Sequence, residues 1–110
     1  MPNMKIYVDR SLPEQSHQGI QAALVPLSEL LCERLDVNIN ACQFAVIAVY
    51  AMADLPAVNV ELSILPKVER SHQKLVELAK EMQQLIGDAA GTHVAARISQ
   101  LDPSTFIALK

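Results

Sequence analysis

The chain has 110 residues, of which 51% are hydrophobic and 19% charged, with a formal charge of −3. That balance excludes a disordered chain, which is apolar-poor and highly charged, and argues against nucleic acid, which needs a basic surplus. The longest apolar stretch, Phe44 to Ala53, is far short of the roughly 20 residues that cross a bilayer, so no membrane partner is expected.

Pro2 stands at the head of the chain, and an alternating run follows it, Met4, Ile6 and Val8. A period of two reads as a strand with one buried face. Arg10 lies in the turn after it, and Ser11 with Glu14 three residues on resembles a capping box for a first helix. In that helix Ile20, Ala23, Leu24, Leu27, Leu30 and Leu31 step by three and four along one face. Pro26 sits inside it and is expected to kink or split it, since proline lacks the backbone donor and crowds the previous turn. A second β-like run covers roughly Phe44–Ala51.

After Pro56 the order repeats. Val58, Val60 and Leu62 alternate, Lys67 and Arg70 occupy the following turn, and a helix is expected over about Glu69 to Ile86, ending near Gly87. A last β-like run covers Val94–Leu101. The repetition extends to the residues themselves. Glu14-Gln15-Ser16-His17-Gln18 returns 55 positions later as Glu69-Arg70-Ser71-His72-Gln73, with four of five residues identical. The apolar helix positions from Ile20 to Leu31 match those from Leu75 to Ile86 at the same offset. The chain therefore reads as one domain of two βαβ pseudo-repeats, about 1–55 and 56–110. Right-handed crossovers place both helices on one face of a four-stranded sheet. The other face is left for something to cover. An apolar fraction of 51% in so small a domain points to association through that face.

Pro2 is the first candidate for chemistry. Removal of Met1 would leave a free secondary amine, a general base whose charged form is disfavoured by burial or a nearby cation. If Met1 stays, the same nitrogen is a tertiary amide and no base. Arg10, Lys67 and Arg70, near the strand-to-helix turns, are the candidate binders of a substrate carboxylate. Arg97 lies in the last strand, facing an interface or a pocket, or snorkelling at an edge.

His17 and His72 hold equivalent helix places, and no further ligands join them in a metal site. Cys32 and Cys42 are too few for a disulfide framework and lack metal-type spacing. Cys42 reads as a small buried hydrophobe. Three glycines in the chain leave no phosphate loop. No basic segment followed by an apolar run marks a secretory leader, and with the two cysteines this suggests a soluble, reduced, cytoplasmic protein.

Pro2 leading a strand, two βαβ halves and this length together resemble the tautomerase superfamily. The chain looks most like its 5-carboxymethyl-2-hydroxymuconate isomerase branch and more distantly like the macrophage migration inhibitory factors. Pro26 in the first helix, Met52-Ala53-Asp54 before the strand Val58–Ile64, Arg70-Ser71-His72-Gln73 and Leu101-Asp102-Pro103-Ser104-Thr105-Phe106 carry the likeness in order along nearly the whole chain.

The resemblance implies an α/β fold of two βαβ repeats and a homotrimer packed through its sheets. It also implies a cofactor-free 1,3-proton shift on a small carboxylated enol or 2-hydroxydienoate, with Pro2 as base and Lys67, Arg10 or Arg70 holding the carboxylate. The sequence departs from the family at Gln43, in the stretch where an arginine is usual, and at Lys67, where lysine lacks the guanidinium fork. A non-catalytic trimer of the same fold is therefore the alternative, and a ferredoxin-like regulatory module of antiparallel topology is a third.

Overall fold

A computed structural model describes residues 2–109, so the fate of Met1 lies outside the described residues. The chain runs β1 (Asn3–Asp9), α1 (Glu14–Leu35), a short 3-10 turn (Ile39–Ala41), β2 (Gln43–Val49), β3 (Val58–Ile64), α2 (His72–Ala90) and β4 (Val94–Gln100). The sheet order is β2-β1-β3-β4. Each half contributes one parallel pair, β1 with β2 and β3 with β4, and the halves join by the antiparallel pair β1 with β3. Those parallel crossovers rule out the antiparallel ferredoxin-like arrangement.

Both helices pack on one face of the sheet. Met4, Ile6 and Val8 of β1 and Val58, Val60, Leu62 and Ile64 of β3 are buried beneath them. The helix residues that meet them are Ile20, Ala23, Leu27, Leu31 and Leu35 in α1 and Leu75, Leu78, Met82, Ile86 and Ala90 in α2. Each member of the first set lies 55 positions before its counterpart in the second. The pseudo-repeat is thus a repeat of buried positions and not of residue types alone.

Three local expectations are corrected. Helix α1 is not split at Pro26 but continues to Leu35, with five buried residues along its face anchoring it past the missing donor. No side chain caps its N-terminus: the cap position is Pro13, and the Ser11 hydroxyl instead donates to Asp9 Oδ2 at 2.7 Å. Helix α2 starts at His72 and continues past Gly87 to Ala90. Ser71 caps its start, its hydroxyl accepting from the Lys74 amide, and Gly91 closes its end with a φ of 70° that favours glycine.

The open sheet face is a fourth. Register places Ala45, Lys5, Glu61 and Arg97 in one row across it, and Gln43, Asn3, Ser63 and Ser99 in another. This face is mostly polar, not the apolar surface that composition suggested. Alternation in β1 and β3 sends every aliphatic residue to the helix side, leaving β2 to supply Ala45, Ile47 and Val49. The large exposed apolar residues lie elsewhere, chiefly Tyr50, Met52 and Leu55 after β2 and Phe106, Ile107 and Leu109 after β4.

Candidate active site

Pro2 is buried at the N-terminal end of β1. The Gln43 amide donates to its carbonyl at 2.9 Å, which ties the start of β2 to the residue before β1. Because β3 is antiparallel to β1, its last residues, Ser63 and Ile64, arrive at this same end. Strand β4 ends beside them, with the Leu101 amide donating to the Ile64 carbonyl at 2.8 Å. Asp102 then turns the chain: its carboxylate accepts from the Ser104 hydroxyl and amide, which holds the carboxyl below its ordinary range. The Phe106 amide closes the turn onto the Asp102 carbonyl.

These segments enclose a cavity of about 220 Å³ lined by Asn3, Gln43, Ser63, Leu101, Phe106, Ala108 and Leu109. Asn3 follows Pro2 directly and the Gln43 amide is bonded to its carbonyl, so two of the lining residues adjoin the proline, which does not itself line the cavity. Its wall is apolar on the side of the C-terminal segment and carries amide and hydroxyl groups on the side of the strands. Among the described residues, none that lines it is charged.

The three cations expected to bind a carboxylate are distributed unequally. Lys67 follows β3 to the Pro2 end of the sheet. It lines a separate cavity of about 180 Å³ on the helix side, together with Arg34, Asp36, Glu69, Arg70 and Lys74. Arg70 is only 8% exposed. Its guanidinium donates to the Leu65 carbonyl at 2.6 Å and to the Leu35 carbonyl at 3.4 Å, clipping the turn after β3 to the end of α1. Arg10 stands at the opposite end of β1, with its guanidinium over the Tyr50 ring at 5.2 Å. Pro2 and Arg10 are eight residues apart along an extended strand, roughly 26 Å at the strand rise of about 3.3 Å per residue. Within one protomer they cannot touch the same small molecule.

The sequence reading passed over Lys5. Its Nζ donates to Asn3 Oδ1 at 2.6 Å, which places a cation one hydrogen bond from the cavity wall. The signal was available: a lysine inside an alternating strand, on the face opposite Met4 and Ile6. Arg97, which the sequence left between interface, pocket and edge, lies exposed on the same open face and donates to Asn59 Oδ1 at 3.2 Å. Among the described residues no helix is long and apolar enough to cross a membrane.

No protein-family model matches the chain, and no curated protein matches it. Solved structures do. A 5-carboxymethyl-2-hydroxymuconate isomerase from Deinococcus radiodurans R1 aligns with a TM-score of 0.77 at 20% identity, covering 98% of this chain and 88% of that one. A protein of unknown function from Vibrio cholerae O1 biovar eltor aligns at 0.75 and 17% identity, covering 97% and 83%. A fused 4-OT described as a symmetric trimer aligns at 0.67 and 10% identity, covering 97% and 90%. With its two βαβ units, its mixed sheet and its helices on one face, the chain has the fold of the tautomerase superfamily.

Proposed function

We propose that this protein is a cofactor-free tautomerase in which Pro2, freed by removal of Met1, is the general base. The observation that carries the reading is that Pro2 is buried and adjoins Asn3 and Gln43, two residues that line a cavity of about 220 Å³, with its carbonyl fixed by Gln43. A secondary amine in such a place is partly desolvated, which disfavours its charged form and keeps it ready to accept a proton near neutral pH. The amine takes the enol proton of a small carboxylated enol or 2-hydroxydienoate. The C=O bond forms, the double bond shifts, and the ammonium returns the proton to carbon. Atoms and electrons balance without an oxidant or a cofactor.

The substrate carboxylate needs a cation. Lys67 lies at the correct end of the sheet, and Arg10 serves only if it comes from a neighbouring subunit. A homotrimer packed through its sheets supplies such neighbours, and the fused 4-OT of the same fold is a symmetric trimer. Arg70 acts by holding the Lys67 turn. The test is ketonisation of 2-hydroxymuconate or phenylenolpyruvate, followed in the ultraviolet with untagged protein. Turnover by wild type that Pro2→Ala loses is the expected result, and equal rates for the two proteins overturn the reading.

One observation favours the non-catalytic trimer as a second reading: among the described residues no charged side chain lines the cavity that Asn3 and Gln43 border. Retention of Met1 in the protein as made by its own cell supports that reading, and turnover that depends on Pro2 excludes it.

A further inference from the structure

The open face of the sheet holds a lysine whose geometry is unusual. Lys5 is half-buried, and register places Glu61 directly across from it on β3. Side chains so paired have Cβ atoms about 5 Å apart, close enough for an ion pair. None forms: among the described residues the only ion pairs join Arg34 to Glu33 and Glu81. The Lys5 ammonium instead reaches back along its own strand, toward the Pro2 end, and donates to Asn3 Oδ1 at 2.6 Å. Arg97, across from Glu61 on β4, likewise turns from the carboxylate and donates to Asn59.

The bond to Asn3 has two effects. It fixes the Asn3 amide with its oxygen toward the lysine, and Asn3 is one of the residues that line the cavity. It also holds a positive charge one hydrogen bond from the wall of a cavity in which, among the described residues, no lining residue is charged. A partly desolvated site strengthens the attraction between that charge and an anion.

We propose that Lys5 and Asn3 form the carboxylate-binding element of the Pro2 site. The ammonium pairs with one carboxylate oxygen of the substrate, and the Asn3 amide donates to the other. This rests on the tautomerase reading and assigns to that site a cation that lies in the same protomer, on the same strand as the base. Lys67 and Arg10 remain for the second acidic group of a dicarboxylate. The element selects planar 2-keto and 2-enol acids over their esters, because an ester offers no charge to the ammonium.

Lys5→Met and Lys5→Arg distinguish binding from structure. Charge-assisted hydrogen bonds are the strong ones, so Lys5→Met is expected to raise KM for a monocarboxylate such as phenylenolpyruvate about 10- to 100-fold, with kcat changed less. Lys5→Arg should recover most of the loss, and the methyl ester of the same compound should be handled alike by wild type and Lys5→Met. Binding of phenylpyruvate, followed by NMR titration, gives a readout that needs no turnover, and its Kd should rise with the KM. A KM and Kd unaltered in Lys5→Met overturn the proposal while leaving the tautomerase reading intact. Wild type that binds phenylpyruvate through Lys5 but never turns it over keeps the binding element and removes the enzyme. Wild type that neither binds nor turns over overturns both.

Discussion

The Gln43 amide donates to the Pro2 carbonyl at 2.9 Å, and that bond ties together the starts of the two strands of the first βαβ unit. Strand β2 is parallel to β1, so its first residue comes level with the proline only after α1 has carried the chain back along the sheet. The proline is positioned by the crossover rather than by its own loop. The integrity of the helix layer and of the turns at the sheet ends is therefore what the site depends on.

Gly19 gives the sharpest test of that layer. A Cβ built there collides with the backbone carbonyl of Ala89 on α2, and a carbonyl cannot swing aside as a side chain can. The Ser16 hydroxyl donates to the Ala90 carbonyl at 2.7 Å at the same crossing. Gly19→Ala is expected to destabilise the fold by about 1–3 kcal/mol by forcing the helices apart, although alanine is the better helix former. Urea denaturation measures it. An unchanged or higher midpoint contradicts the close approach.

Asp9 gives the pH dependence. Its carboxylate accepts from the Ser11 hydroxyl at 2.7 Å and from the Ala51 amide at 3.3 Å, joining the turn after β1 to the loop after β2. The Ser11 hydroxyl bond first, then the Ala51 amide, hold its carboxyl below the ordinary value near 3.8. A group depressed on folding contributes stability above its unfolded pKa, and that contribution is lost as the pH falls through the folded value. Wild type should therefore lose more stability than Asp9→Asn between about pH 5 and pH 3, the region of the unfolded carboxylate pKa. Parallel acid-unfolding curves for the two proteins contradict the assignment.

Arg70 separates a structural cation from a substrate-binding one. Its guanidinium is buried and holds carbonyls from both sides of the Pro2 end, at Leu65 and Leu35. Arg70→Ala should cost about 1–3 kcal/mol, because it strips two acceptors of their donor. Arg70→Lys should recover only part, since an ammonium cannot span both. Thermal unfolding of the two variants checks this. Wild-type stability in Arg70→Ala returns the guanidinium to the list of substrate binders.

Much of the fold was legible because buried positions recur with the period of their element. The 55-residue offset from Ile20–Leu35 to Leu75–Ala90 is written in aliphatic residues that only a helix face explains. The ends were less legible, because they are decided by competition between near neighbours. Ser11 was close enough to cap α1, but the Asp9 carboxylate holds its hydroxyl, and Gly87 looked like a terminus until Gly91 took the positive φ.

Pro2 was legible as the head of the first strand, and its burial emerges only in the fold. How the cations are shared out was not legible. Whether Arg70 faces solvent or two carbonyls, and whether Lys5 pairs with Glu61 or Asn3, depends on sheet register and loop path. The polar open face misled composition for a related reason. Two central strands with strict alternation hide their aliphatics under the helices, and the surplus apolar residues surface in the loop after β2 and in the C-terminal segment.

Whether Pro2 carries a free amine is decided by the intact mass of the untagged protein, purified from the cell that makes it. A mass without Met1, leaving proline at the N-terminus, is expected. A mass that retains Met1 makes the Pro2 nitrogen a tertiary amide and removes the proposed base.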